Sequence, residues 1–316
     1  MYDALLLVSF GGPEGPDDVI PFLENVTRGR NIPRARLEQV GEHYHRFGGI
    51  SPINSQCRTL KAALEASLDI PVYWGNRNWA PYLADAVQQM KDGGVRRAAA
   101  FVTSAYGGYS CCRQYLDDLD RVAVEGLRID KLRVYFNHPG FVEPFVEATR
   151  TALEGLPGDA PLIFTAHSVP LAQPGRERYE AELTDLATTV AAGFGRPWRL
   201  VYQSRSGPPA QPWLEPDIRD HLTSLHASGV TAAAIVPIGF VSDHMEVVYD
   251  LDVEAADLAA KLDMTVVRAA TPGAHPRFVA MIGELLAERS GTDRRALGSL
   301  GPRPDACPAD CCKMGA

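Results

Sequence analysis

Residues 161–175 read PLIFTAHSVPLAQPG, a near-continuous apolar run that reaches His167 and then breaks into a loop rich in proline and glycine. A run with no polar alternation suits a strand whose sheet is covered on both faces, and burial on two sides is the mark of a parallel sheet. Similar runs recur at Ala4–Phe10, Pro71–Gly75, Ala98–Ser104, Leu132–Phe136, Trp198–Gln203, Ala232–Ile238 and Met264–Ala269. Between them lie amphipathic helices. Asp17 and Asp18 give an acidic first turn ahead of Val19, Ile20, Phe22, Leu23 and Val26, and Tyr179–Ala192 and Glu254–Leu262 have the same character. Strands alternating with helices predict an α/β protein of two similar doubly wound domains, each a four-stranded parallel sheet flanked by helices. The expected division is 1–140, 141–290 and a tail from 291 to 316.

The two halves share a plan. SFGGPEGP follows the first strand and TAHSVPLAQPG the fifth, while TSAYGGYSCC follows the third and VPIGFVSDHME the seventh. Open α/β sheets bind ligands at the carboxyl ends of their strands, so these four loops are expected to face one cleft between the domains. No G-x-G-x-x-G follows a strand and no Walker A sequence is present, which removes nucleotide chemistry.

Composition narrows the function classes. The 316 residues include 31 Lys or Arg against 39 Asp or Glu, a formal charge of −8, which argues against nucleic acid as a partner. No stretch approaches the about 20 apolar residues of a membrane-spanning helix. The opening residues, MYDALLLVSFGGPEGPDD, lack a basic segment and turn acidic at once. A soluble cytoplasmic protein with no membrane insertion is expected, and a monomer.

Three segments could carry chemistry. His167 stands just past a buried strand. A histidine there is more often a packed residue than a catalyst, but the carboxyl end of a strand is where ligands arrive, and imidazole exchanges protons near neutrality and ligates divalent iron. SDHMEVVYDLD, residues 242–252, begins a run of ionisable groups that comprises Asp243, His244, Glu246, Asp250, Asp252 and Glu254. A helix N-terminus explains Asp243. It explains less well Glu246 and Asp250, whose like charges repel at a spacing of four unless the site holds a cation. GGISPIN, residues 48–54, suggests a turn with exposed backbone N–H groups, and Arg28, Arg30 and Arg46 offer forked donors nearby.

Six cysteines are placed unevenly: Cys57, the pair Cys111 and Cys112, and Cys307, Cys311 and Cys312 in the tail segment CPADCC. In a reducing compartment such clusters more often bind metal or do redox chemistry than form disulfides. The C-x3-C-C spacing is not that of a zinc finger.

LLVSFGGPE, FLENVTRGR, HYHRFGGISPIN, TAHSVP, QSRSGP, WLEPD and GFVSDHMEVVYDLD occur in that order. Together they resemble the ferrochelatase family, whose members insert ferrous iron into a porphyrin. The resemblance runs from about residue 3 to about 290. It implies that His167 and Glu246 face the porphyrin centre and handle Fe2+ as substrate, and that Ser51 and Tyr115 contact the macrocycle and its propionates. Some relatives carry tyrosine where this chain has Phe10, so an axial oxygen ligand is lost there. The cysteine pattern resembles the actinobacterial branch of the family, which holds a 2Fe–2S cluster on one loop cysteine and three tail cysteines. That implies Cys112, Cys307, Cys311 and Cys312, with Cys112 preferred over Cys111 because it directly precedes Arg113-Gln114-Tyr115, and a tail that packs back on the first domain.

The stretch EGPDDVIPFLENVTRGR, residues 14–30, is charged and short where relatives handling protoporphyrin carry an apolar lip. This favours coproporphyrin III, with its four propionates, over protoporphyrin IX. A carrier that binds porphyrin or haem without turnover does not require both His167 and Glu246, and an iron–sulfur sensor needs no SDHMEVVYDLD segment. A related chelatase for cobalt or nickel is the nearest enzymatic rival. Which of His167 and Glu246 takes the pyrrole proton stays open.

Overall fold

A computed structural model describes residues 1–208, 210–291 and 293–314. The strands are β1 (Ala4–Ser9), β2 (Val72–Asn76), β3 (Arg97–Val102), β4 (Arg128–Lys131), β5 (Leu162–His167), β6 (Trp198–Gln203), β7 (Ala232–Val236) and β8 (Thr265–Arg268). The helices are α1 (Val19–Val26), α2 (Arg34–His45), α3 (Ile53–Ser67), α4 (Leu83–Asp92), α5 (Gln114–Arg121), α6 (Pro139–Ala152), α7 (Arg176–Ala191), α8 (Ile218–Ala227), α9 (Met245–Tyr249), α10 (Ala256–Lys261) and α11 (Pro276–Glu288). Contacts divide the chain into two compact units. One comprises Met1–Thr103, Leu116–Leu132 and Ser242–Met245; the other comprises Ser104–Tyr115, Arg133–Val241 and the chain from Glu246 onward.

The first unit is built on a four-stranded parallel sheet ordered β2-β1-β3-β4. All six residues of the central strand β1 are buried, which is why its sequence shows no alternation. The stripe of α1 works as expected: Val19, Phe22 and Leu23 pack with Leu37 of α2. Phe22 meets Tyr44 and Trp79 edge-on, the geometry that ring quadrupoles favour.

The second unit repeats the plan, with a parallel sheet ordered β6-β5-β7-β8. Ile163, Val201 and Ile235 of the sheet bury against Ile218 and Leu222 of α8 and against Val247, Leu251 and Ala259. The two-domain α/β architecture expected from the strand pattern is what the chain adopts. Both sheets leave the carboxyl ends of their strands to loops, and His167 is the last residue of β5.

One expected strand is displaced. Leu132–Phe136 is not a strand; the fourth strand is Arg128–Lys131, just before it. As an edge strand, β4 carries little apolar signal, and charge holds it instead: Asp130 accepts from Arg97 and Arg128 at 2.9 and 2.8 Å. The neighbouring apolar run is buried as irregular chain. Tyr135 packs edge-on to Phe141 at 5.4 Å, and Phe136 stacks on Tyr106 at 6.2 Å. The other expected strands coincide with observed ones to within a residue or two at each end.

The helix expected at Glu254–Leu262 is present as α10, Ala256–Lys261. A wider π-helical turn, Asp250–Ala255, lies between α9 and α10. Single π turns inside helices occur often at functional sites.

The tail is fastened before it reaches its cysteines. Leu297 N–H donates to the Asn137 carbonyl at 2.7 Å, and Asn137 Nδ2 donates to the Gly301 carbonyl at 2.7 Å. The Ser299 N–H and hydroxyl both reach Asp185 at 2.7 Å. Arg303 pairs at 2.7 Å with Glu182 of α7, which is fully buried and also takes the Gly107 N–H at 2.6 Å. A buried carboxylate without such donors would be costly, so Glu182 fixes both the 104–115 loop and the tail.

Candidate active site

His167 and Glu246 come together in the second unit, with Nε2 and Oε1 3.4 Å apart. His167 is placed by the residues around it. The ring Nδ1–H of His167 donates to the Ser168 carbonyl, which fixes the ring and turns Nε2 toward Glu246. The His167 carbonyl accepts from the Tyr179 hydroxyl at 3.1 Å. Gly239 brings the loop after β7 close to β5: its N–H donates to the Thr165 carbonyl at 3.0 Å, and an added Cβ would lie 2.6 Å from the Ala166 Cα. The pair stays partly open, with 32% of the imidazole and 47% of the carboxylate side chain exposed. A substrate can therefore reach it.

The acidic run after Glu246 sorts into two groups. Asp252 accepts two donors from Arg268 at 2.5 and 2.9 Å, and Glu254 lies 3.7 Å from Arg219. Those charges are neutralised by arginine. Asp250 instead accepts from the Ser204 hydroxyl, in the same electrostatic environment as His167 and Glu246.

Proton affinities follow from this layout. Burial works against a charged His167, but the Glu246 carboxylate, the Ser168 carbonyl and the Asp250 carboxylate outweigh it and push the imidazole up to about 9. Burial, with the nearby Glu246 and Glu254 charges adding to it, raises Asp250 to about 7, against the pull of its Ser204 bond and of His167. The Glu246 carboxylate thus raises the proton affinity of the imidazole beside it. A carboxylate titrating near 7 stands next to it.

GGISPIN does make a turn: Gly48 and Gly49 have φ of 67° and 77°, and a Cβ on Gly49 would strike the Pro16 Cα at 2.4 Å. Its N–H groups are not open to a ligand as expected. Gly48, Gly49, Ile50 and Ser51 N–H groups donate to the carbonyls of His45, Tyr44, Phe47 and Pro13. Ser51, in the first unit, is 4% exposed, and Tyr115, at the start of α5, is 5% exposed. Arg28, Arg30 and Arg46 lie exposed in the first unit, and Phe10 is 37% exposed.

The tail cysteines gather on one face of α7. The Cys311 and Cys312 sulfurs are 3.6 Å apart, and Cys307 and Cys311 share a hydrogen bond. Arg178 donates to Cys311 at 3.1 Å and to Cys307 at 3.8 Å. Despite its burial, Cys311 is held below the usual thiol range by Cys312, by the Arg178 cation and by Cys307. Cys312 accepts from a Gly108 N–H, and burial with the neighbouring Cys311 raises it to about 11. A Cβ on Gly175 would meet the Cys312 sulfur at 2.5 Å, so glycine makes room for the thiol. Cys111 is different. Burial raises it to about 12, against bonds to Ser110 and Ser104, so it stays a protonated thiol. Cys112, half-buried, donates its N–H to the Gly108 carbonyl at 3.1 Å. Among the described residues, no three His, Cys, Asp or Glu side chains are grouped so as to hold a metal ion.

Sequence reading missed several residues at these sites. Gln203 and Ser204 fall within QSRSGP, yet neither type suggests a role. Arg178 looks like any surface arginine on an amphipathic helix.

Two parallel four-stranded sheets flanked by helices are a fold shared with solved chelatases. SirB from Bacillus subtilis with Fe3+ superposes with a TM-score of 0.59 over 92% of this chain and 98% of that one, at 14% identity. SirB in complex with cobalt gives 0.57 over 91% and 95%, at 12% identity. The ferrochelatase family model matches residues 2–290. The chain belongs to the ferrochelatase family. It is 53% identical to a coproporphyrin III ferrochelatase of Streptomyces griseus, over 98% of this chain and 93% of that one. It is 55% identical to one from Frankia alni, over 98% and 86%, and 49% identical to a ferrochelatase of Rhodopirellula baltica, over 98% and 93%. No helix among the described residues is long and apolar enough to cross a membrane.

Proposed function

We propose that this chain inserts ferrous iron into coproporphyrin III in haem biosynthesis, with His167 and Glu246 at the ring centre. The observation that carries the reading is the 3.4 Å His167–Glu246 pair, partly open, at the carboxyl end of β5. The relatives named coproporphyrin III ferrochelatases support the choice of porphyrin. Ser51 and Tyr115 contact the macrocycle in this reading. The reaction runs in the cytoplasm, on a monomer with no nucleic-acid partner.

Metallation requires two pyrrole protons to leave and Fe(II) to shed water. Bending the ring exposes nitrogen lone pairs, a distortion that binding of the remote propionates can drive. In this reading the His167–Glu246 pair takes the two pyrrole protons as they leave the ring. Asp250 receives protons from the pair and passes them outward. His167, once deprotonated, is a nitrogen donor to the incoming cation, and Glu246 neutralises its charge.

This route sets a pH dependence. Asp250 accepts protons only as a carboxylate, so kcat/KM for iron is expected to fall as pH drops through about 7. Asp250→Asn should lower the plateau and remove that inflection. A variant profile that keeps the inflection would take Asp250 out of the route.

We also propose that Cys112, Cys307, Cys311 and Cys312 hold a 2Fe–2S cluster. What supports it is proximity short of a formed site: Cys311 contacts both Cys307 and Cys312, Gly175 leaves space for Cys312, and the Gly108 backbone bonds both Cys312 and the residue Cys112. Cys112 of the loop and the three tail cysteines would hold it, tying the two segments together, and it would supply stability with no redox step in metallation. Anaerobically purified protein is then expected to be reddish-brown, with about two iron and two acid-labile sulfides per chain. Serine at any of the four positions should bleach it and lower its melting temperature, while Cys57→Ser and Cys111→Ser keep the colour. A colourless Cys111→Ser beside a coloured Cys112→Ser would reverse the loop assignment.

Substrate choice is tested by comparing kcat/KM for coproporphyrin III and protoporphyrin IX under anaerobic Fe(II). A clear preference for coproporphyrin III is expected. Preference for protoporphyrin IX would overturn the assignment.

A further inference from the structure

Gln203 belongs to two structures at once. Its backbone is part of the β5–β6 ladder, directly opposite His167, and its carbonyl accepts the Ser168 N–H at 2.8 Å. Its side chain leaves the sheet: Nε2 donates to the Glu246 carbonyl at 2.6 Å. Only 1% of Gln203 is exposed, and its buried Oε1 has no hydrogen-bond partner among the described residues. A buried acceptor left unpaired is unfavourable, so an apolar side chain of the same length would relieve that penalty. What it would lose is the bond to Glu246.

Ser204 follows with φ of 62°, a left-handed conformation unusual for a residue other than glycine. From that backbone its hydroxyl donates to the Asp250 carboxylate. Two consecutive residues at the end of β6 therefore hold Glu246 and Asp250, which lie on either side of the junction between α9 and the π turn. A π turn departs from the regular helical ladder that otherwise keeps side chains in register, so an outside anchor there has a mechanical use.

We propose that Gln203 and Ser204 are positioning residues for iron insertion, a two-residue clamp that sets Glu246 and Asp250 against His167. The proposal rests on the reading of His167 and Glu246 as the ring-centre pair. Neither clamp residue touches the reacting atoms in it. Their effect passes through the carboxylates, as for groups that orient metal-handling side chains, whose loss typically costs about 10–100-fold in activity or metal affinity.

The test is steady-state Fe(II) insertion into coproporphyrin III by Gln203→Met and Ser204→Ala, with porphyrin binding titrated separately and His167→Ala assayed alongside. Gln203→Met is expected to lower kcat by about 10–100-fold with porphyrin affinity unchanged. Ser204→Ala should act in the same direction. A residue that only stabilised the fold would not lower kcat alone in protein that binds porphyrin normally. Wild-type kcat in both variants, or a fall in kcat matched by an equal loss of porphyrin affinity, would overturn the clamp. If Gln203→Met does not fold, Ser204→Ala, at a half-buried position, decides by the same two outcomes. A fully active His167→Ala would mean that the ring-centre reading itself fails. An inactive His167→Ala beside fully active clamp variants would mean that the clamp alone fails.

Discussion

His167→Ala is expected to abolish iron insertion while leaving porphyrin binding intact. The imidazole does two things that methyl cannot: it gives and takes a proton at the ring centre, and it offers nitrogen to Fe(II). Loss of proton transfer alone is worth about 10²–10⁴-fold in rate, and loss of a ligand adds to it. The ring is partly exposed and its Nδ1 bond goes to the carbonyl of the next residue, so little packing depends on it. Porphyrin should therefore still bind, and its absorption bands should shift on binding but remain those of the free base. A folded variant with wild-type turnover would make His167 a packing residue.

Glu246→Gln is expected to lower kcat by about 10²–10³-fold, the range typical of removing one preorganised electrostatic contact. The amide keeps the shape of the carboxylate but neither accepts the pyrrole proton nor neutralises the cation. With 47% of the side chain exposed, stability should change by no more than about 0.5 kcal/mol, as for most surface substitutions. His167 loses the main charge that raises it and should titrate lower in the variant. Stopped-flow absorption separates porphyrin binding from insertion. An equal fall in porphyrin affinity and in rate would make Glu246 a substrate-orienting residue instead.

The fold was legible where burial writes itself into composition. Strands buried on both faces, such as β1, β5 and β7, are mostly apolar, so they stand out. The edge strand β4 did not, because Arg128 and Asp130 satisfy each other there while the adjacent apolar run packs without strand pairing. His167 and Glu246 were legible because they fall in distinctive segments. The raised proton affinity of His167 was not, since it depends on groups distant in sequence: Glu246 and Asp250 follow it in the chain only after β6 and β7. The π turn at Asp250 was hidden because its residues suit an ordinary helix equally well. Gln203, Ser204 and Arg178 act through bonds to carbonyl, carboxylate and sulfur, partnerships that only the folded chain brings within reach.

Anaerobic mixing of the protein with coproporphyrin III and Fe(II) tests the central claim most directly, with the absorption spectrum followed in time. The free-base bands should give way to those of the iron porphyrin over many turnovers, with product exceeding protein. If porphyrin binds but keeps its metal-free spectrum, or iron porphyrin stops at one equivalent and stays bound, the protein is a carrier and not a chelatase.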